Sequence, residues 1–190
     1  MTSAKSAKSA SVAKLPFKHH PARAELRAIY DEVDALLAPF TCEGTRECCH
    51  FGITGREPYP TAVEMAEVDE AVRAAGISLA SSAAASRAPG TTVGSRERRA
   101  LRVLREGGDG AGARRCPLLS AEGRCRIYAS RPLGCRTYFC HRVSGPGKLP
   151  RKEILRLSSA VAALSSRFAP RDPLPRPFLR ALELPRERAR

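Results

Sequence analysis

The sequence predicts a small, mainly α-helical domain with irregular cysteine-rich loops, room for one small β-hairpin, and a bound metal that stabilises it. Three segments place their apolar residues at the spacing of one helical face. Seven cysteines gather in two groups, which is typical of a metal site in a chain without an export signal. Aromatic residues make up only 5% of the 190 residues and Trp is absent, so the apolar core is expected to be modest.

The first predicted helix spans residues 24–38. Pro21 suits the first turn of a helix and Pro39 ends it, because proline lacks the N–H that continues the hydrogen-bond ladder. The residues that share the apolar face are Leu26, Ile29, Tyr30, Val33, Leu36 and Leu37.

Two further helices follow from local patterns. Thr61 and Glu64 form a capping box that begins a helix, and we expect this helix to end near Gly76. Residues 152–168 repeat the amphipathic spacing a third time. Ser130 and Pro132 predict one more helix start, with serine as the cap.

A small hairpin is predicted between the segments 116–119 and 124–128, because the turn-like residues 121–123 separate them.

Charge divides the chain into three predicted parts: a disordered basic tail over 1–20, a single cysteine-cluster domain over 21–168, and a Pro/Arg-rich tail over 169–190. The net charge is +14, with five basic and no acidic residues in 1–24 and a net +7 in 147–190. We expect the tails, including His19 and His20, to be solvated. Their charge also allows weak contacts with nucleic acid.

The sequence contains neither the apolar run of a secretory signal nor one long enough to span a bilayer. We therefore expect no membrane association and a cytoplasmic location, where thiols stay reduced. In that compartment an odd number of cysteines indicates metal binding or redox chemistry rather than a disulfide framework.

All seven cysteines are candidate metal ligands. Thiolates are soft ligands that select zinc, Cu(I) or iron–sulfur clusters. One four-ligand site would leave three cysteines over, whereas two sites would need His50 or His141 as an eighth ligand. Cys48 and Cys49 are adjacent and would face opposite sides of a strand, so they would serve different centres or supply one ligand. The two groups are Cys42, Cys48 and Cys49, and then Cys116, Cys125, Cys135 and Cys140.

The segment CPLLSAEGRCRIYASRPLGCRTYFC, residues 116–140, resembles the second half of the CxxCxxCC zinc- or iron-chelating domain family, the YkgJ-type cysteine-cluster proteins. The matching positions there are Cys116, Pro117, Leu119, Gly123, Cys125, Ile127, Tyr128, Arg131, Pro132, Cys135, Arg136 and Cys140. In the first half Cys42, Cys48 and Cys49 match, but Thr45 stands where the family has a cysteine. The resemblance covers about residues 40–143. It implies a bound zinc ion or iron–sulfur cluster and no particular reaction.

Arg131 and Arg136 are expected beside the thiolates, where a guanidinium would offset negative charge. A capping or packing role is the alternative for Arg131.

The sequence leaves three functional hypotheses. The first is a metal-binding cysteine-cluster protein. The second is an iron–sulfur redox protein or electron carrier. The third is a nucleic-acid-associated protein acting through its basic tails. No phosphate loop, G-x-S-x-G elbow or H-E-x-x-H motif is present, so the sequence assigns no catalytic residue.

Overall fold

Three long helices pack against one another in the computed structural model, which describes residues 16–42, 47–79, 114–138, 143–172 and 175–183. They are α1 (Pro21–Leu37), α3 (Ala62–Ala74) and α5 (Arg151–Phe168). The shorter helices are α2 (Phe51–Thr54), α4 (Leu133–Arg136) and α6 (Phe178–Glu183), and 3-10 turns lie at Phe17–His19, Glu47–Cys49 and Tyr128–Ser130. The predicted fold class, mainly helical with cysteine-rich loops, is confirmed.

The three predicted long helices are confirmed within a few residues. α1 begins at Pro21 itself, and both halves of the capping box start α3, where Glu64 accepts from the Thr61 N–H at 2.8 Å. α3 ends at Ala74, and Gly76 has the left-handed φ of +60° that favours glycine after a helix. The side chains that the long helices and α4 bury together are Ala22, Leu26, Tyr30, Val33, Leu37, Val63, Leu133, Leu157, Val161 and Leu164.

The start of the chain differs from its prediction where it is described. Phe17–His19 form a 3-10 turn, and the Phe17 ring packs edge-on against Phe168. His20 is half-buried rather than solvated, and its Nδ1 caps α1 by accepting from the Ala22 N–H at 3.1 Å. The predicted disordered tail is therefore wrong for residues 17–20, because Phe17 and His20 find partners on the ends of α1 and α5. Residues 1–15 lie outside the described part.

We expect His20→Ala to lower the free energy of unfolding by about 1 kcal/mol, because an unsatisfied helix N–H replaces the cap. Burial lowers the pKa of His20 below 6.5. The unfolded chain then binds a proton at His20 more tightly than the folded chain does. The contribution of His20 to the free energy of unfolding is therefore fully present above pH 6.5 and decreases as the pH falls below that value. Urea unfolding at pH 7.5 and pH 5 measures both effects. His20→Asn, which keeps an acceptor without a titrating ring, should remove this pH dependence. An unchanged midpoint in His20→Ala would contradict the capping role.

A short antiparallel pair that the sequence did not predict joins β1 (Thr41–Cys42) to β2 (Val143–Ser144). Cys42 lies opposite Val143 in the register. A Cβ on Gly145 would overlap the Phe40 ring, so glycine permits the close approach beside this pair. The pairing places the backbone of Cys42 next to the segment that follows Cys140.

The hairpin predicted in residues 116–128 is reduced to a single bridge. Leu119 pairs with Cys125, and the Arg126 N–H donates to the Leu118 carbonyl at 2.9 Å. Gly123 has a φ of +74°, which closes the turn between them. The consequence for the site is that residues 116 and 125 lie on neighbouring stretches of chain.

The predicted cap at Ser130 is wrong. Ser130 ends a 3-10 turn, and α4 begins three residues later after Pro132, without a side-chain cap. The Ser130 hydroxyl instead donates to Glu67 Oε1 at 2.9 Å. A buried carboxylate on another helix has taken the hydroxyl that the local pattern assigned to a cap.

A second apolar core lies beneath the cysteines, and α6 closes it. The solvated Pro/Arg-rich tail predicted over 169–190 is therefore wrong for this helix. Phe178 is only 1% exposed, and its N–H donates to the Pro58 carbonyl at 3.0 Å. Residues 184–190 lie outside the described part. The buried members of this core are Phe51, Val68, Val72, Ile77, Cys116, Leu118, Ile127 and Phe178.

In the part of the chain that the structure describes, none of the helices has the length and apolar character needed to cross a bilayer.

Candidate metal centre

The two cysteine groups meet through backbone contacts. The Cys116 N–H donates to the Cys49 carbonyl at 2.8 Å, and His50 pairs with Arg115 in an isolated antiparallel bridge. Residues more than 60 positions apart in sequence are thus hydrogen-bonded neighbours. This contact is what brings thiols from both groups to one place.

Five thiols line one open cavity of about 1330 Å³. They belong to Cys48, Cys49, Cys116, Cys125 and Cys135, and each is a free thiol. Cys116 and Cys125 come from the bridged turn, and Cys135 comes from α4.

The other sequence-predicted ligands have different positions. Cys42 is described through its backbone in β1. His50 precedes α2 and is not among the residues that line the cavity. Cys140 and His141 lie outside the described residues, as does Thr45.

Cys48 and Cys49 lie in a 3-10 turn and not in a strand, so the expectation that they face opposite sides is wrong. Their sulfur atoms are 4.0 Å apart on the same cavity wall. Bonds of about 2.3 Å place two sulfurs of a tetrahedral zinc site about 3.8 Å apart. This pair therefore fits one edge of such a site.

The five thiols line the cavity, but their sulfur atoms do not converge on one position for an ion. Among the described side chains, no three His, Cys, Asp or Glu groups already stand where a single ion would meet them all. The donor set still fits a thiophilic metal, because it consists of soft sulfur ligands from four short stretches of chain. Ligation of one ion by three or more of these thiols requires the sulfurs to move inward.

The thiols differ in pKa because they differ in burial and in their contacts with one another. A hydrogen bond from the Cys49 thiol lowers the pKa of Cys48 to about 6. The same bond, with burial, raises the pKa of Cys49. Burial also raises the pKa of Cys116 to about 12 and that of Cys135 above its ordinary value. A metal ion at these thiols would therefore displace protons as it binds.

Arg131 lies beside the thiols, as the sequence predicted. Burial raises the pKa of Cys125 and Cys135, and the positive charge of Arg131 opposes that rise at both. The guanidinium stacks 3.9 Å from the centre of the Tyr128 ring. Its Nε is buried, and no described group accepts a hydrogen bond from it. A thiolate next to it would have both a countercharge and a donor.

Arg136 does not have the role that the sequence predicted. Its side chain is almost fully buried and forms an ion pair with Asp34. It also donates to the carbonyls of Ala129 at 2.6 Å and Arg131 at 3.0 Å, and stacks on Tyr30. Its N–H groups bind the backbone of the loop before α4. Arg136 therefore stabilises the conformation of that loop, and its described hydrogen bonds do not go to the thiols.

Sequence reasoning missed two groups that support the site. Glu67 is fully buried on α3. It falls four residues after Val63 on the core-facing stripe, and a carboxylate at such a position could have indicated a buried ion pair. Glu57 accepts from the Leu179 N–H at 2.6 Å and pairs with Arg114 at 3.2 Å. It thus connects α6 to the segment that leads into Cys116, a link with no local signature.

The geometry defines a class of protein: a helical scaffold that gathers free thiols from remote segments around one open cavity. The chain matches the CxxCxxCC family, described as "Putative zinc- or iron-chelating domain", over residues 41–154, more than half of its length, and it belongs to that family. Neither a curated protein nor a solved structure matches it. The family resemblance in the sequence is confirmed, and it supports metal binding without naming the metal.

Proposed function

We propose that this protein binds a thiolate-ligated zinc ion or iron centre in the cavity between its two cysteine groups. The observation that carries the proposal is the Cys116–Cys49 backbone hydrogen bond, which joins the two cysteine groups so that five thiols line one cavity. Cys42 and Cys140 complete the proposed ligand pool. Cys42 lies in the β1–β2 pair, whose other strand begins three residues after Cys140.

The surrounding charges are consistent with a negatively charged centre. Five arginines line the cavity against two carboxylates, Asp34 and Glu57. Arg136 pairs with Asp34 and Arg114 with Glu57, which leaves Arg56, Arg124 and Arg131 without a carboxylate partner among the described residues of the cavity wall. Of these three, Arg131 is the one whose charge acts on the thiols of Cys125 and Cys135. A zinc ion with four thiolates has a net charge of −2, which a nearby guanidinium offsets. When bound, the metal would cross-link the segments that supply its ligands and so add its binding energy to folding.

The second candidate is an iron–sulfur redox protein or electron carrier, which uses the same thiols. The exposure of Cys48 favours a centre that solvent or a partner can reach. The hypothesis of nucleic-acid binding through the tails stays a prediction, as does a cytoplasmic location. No catalytic reaction is proposed.

Metal content of the full chain tests the proposal. We expect anaerobically purified protein to contain zinc or iron at a stoichiometric level, and Cys116→Ser or Cys135→Ser to lose most of it. Elemental analysis identifies the metal, and a visible absorption band distinguishes an iron–sulfur cluster from colourless zinc. Ser159→Ala, which removes one exposed hydroxyl from α5, is the control and should retain the metal. A wild-type chain that takes up neither zinc nor ferrous iron after anaerobic reconstitution would refute the proposal.

A further inference from the structure

The carboxylate of Glu67 is buried outside the thiol cavity, and the proposed function does not use it. The side chain is 0% exposed. Its Oε2 accepts from Arg23 Nε at 2.8 Å, and its Oε1 accepts from the Arg27 guanidinium and from the Ser130 hydroxyl at 2.9 Å. Both oxygens are therefore satisfied by donors from two other parts of the chain.

The same partners fix the loop that leads into α4. Arg27 also donates to the Ala129 carbonyl at 3.0 Å and to the Ser130 hydroxyl at 2.9 Å. Ala129 and Ser130 are thus attached to α1 through Arg27 and to α3 through Glu67. Two consecutive residues of the 3-10 turn Tyr128–Ser130 are in this way fixed to the long helices α1 and α3.

This loop carries two groups of the thiol site. Arg131 directly follows Ser130, and Cys135 lies five residues after it; both line the cavity. Between them the chain forms only the single turn of α4, with the Leu133 N–H donating to Glu64 at 2.7 Å. A displacement of Ser130 would move Arg131 directly, and it would reach Cys135 through the backbone of α4, whose first residue Glu64 also holds.

We propose that Glu67 is a positioning residue for the thiol site: it orients Ser130 and Arg27, and through them sets where Arg131 and Cys135 stand relative to the other cysteines. The metal-binding consequence rests on the proposed function. The positioning of Cys135 does not, since it concerns the protein chain alone.

Directional bonds explain why a charged group stands here. An apolar side chain of similar volume would fill the same space and is often no less stabilising than a buried ion pair. It would not orient a hydroxyl and two guanidinium groups at once. The arginine side chains keep about a third of their surface exposed, 30% and 35%, which lessens the cost of burying the network. The network therefore specifies one arrangement of the loop.

Cobalt(II) titration of the full, metal-free chain tests the metal consequence, because the absorption of thiolate-bound cobalt reports the ligand set and its geometry. We expect Glu67→Gln to weaken cobalt binding by about 10-fold and to change the spectrum. This is the low end of the effect of losing a hydrogen-bond partner of a metal ligand, since Glu67 acts on Cys135 through Ser130 and Arg27. Ser130→Ala, which removes one hydroxyl and should fold, is expected to act in the same direction but less strongly.

Two controls separate positioning from simple loss of stability. Leu164→Ala opens a hole in the first core at a residue that is 2% exposed, so it should lower the thermal midpoint yet leave the cobalt spectrum unchanged. Glu70→Gln removes a carboxylate from the same helix whose ion pair, within the described part of the chain, is with the exposed Arg73, so it should change neither. Equal spectra and affinities in Glu67→Gln, Ser130→Ala and Leu164→Ala would overturn the metal consequence.

Alkylation of the metal-free chain with iodoacetamide supplies a readout that needs no metal. Peptide masses give the ratio of Cys135 to Cys116 modification, which we expect to rise several-fold in Glu67→Gln and in Ser130→Ala but not in Leu164→Ala. A wild-type chain that binds neither cobalt nor zinc nor ferrous iron would refute the proposed function, whereas this ratio would still decide the position of Cys135. An unchanged ratio in both loop variants would overturn the positioning role.

Discussion

Replacing Phe178 with alanine is expected to lower the free energy of unfolding by about 3–5 kcal/mol, the range for truncating a fully buried aromatic ring. The ring is 1% exposed and belongs to the core that contains Phe51, Leu118 and Ile127, directly beneath the thiols. Phe178 also forms part of the cavity wall. Its loss should therefore both destabilise the chain and loosen the cysteine region.

Urea unfolding of Phe178→Ala measures this effect, with Leu179→Ala as the matched control. Leu179 is the next residue of α6 and is only partly buried, so its truncation should cost clearly less. Phe178→Leu should recover part of the loss because it keeps apolar volume. A change below about 1 kcal/mol in Phe178→Ala would show that α6 does not dock on the second core in solution.

Replacing Arg136 with alanine is expected to cost about 3 kcal/mol, the low end of the range for breaking a buried charged pair. The low end applies because Asp34 is half-exposed to water and the Ala129 carbonyl keeps its hydrogen bond from Arg27. The carbonyls of Ala129 and Arg131 would each lose a hydrogen bond, and Asp34 would lose its ion pair. The stacking contact with Tyr30, 4.1 Å from the ring centre, would be lost as well.

The control for this variant is Arg156→Ala. Arg156 pairs with Glu32 and Glu153, but all three side chains are about half-exposed, so little change in the urea midpoint is expected. Arg131→Gln provides the opposite comparison, since it should affect the thiols more than the fold. If Arg136→Ala unfolded at the same urea concentration as Arg156→Ala, the claim that the buried contacts of Arg136 stabilise the fold would be wrong.

Each long helix could be located from the sequence because its signals are local. Apolar spacing, the capping box at Thr61 and the prolines at 21 and 39 act within a few residues, and these helices appear with nearly the predicted bounds. The same local logic failed at Ser130, because a hydroxyl can satisfy a distant carboxylate as well as a neighbouring helix end. It failed again at the C-terminal segment, where Phe178 gains its burial only from residues far away in sequence.

The candidate site was predictable in its chemistry and not in its arrangement. Cysteine count and spacing indicated soft-metal ligation, and the family match supports metal binding. Adjacency alone suggested that Cys48 and Cys49 diverge, yet a 3-10 turn puts their sulfurs 4.0 Å apart. Arg131 and Arg136 were indistinguishable as neighbours of thiols, but one lies beside the sulfurs and the other is turned toward loop carbonyls.

By itself, then, the sequence determined the helices and the kind of donor atom that the candidate site offers, because periodicity, caps and thiol chemistry are properties of short stretches of chain. The tertiary structure alone decided which thiols share a cavity, which arginine serves them and which carboxylate anchors the loop. The physical reason is that a hydrogen bond such as that between Cys116 and Cys49 depends on how helices pack, and packing is a property of the whole chain.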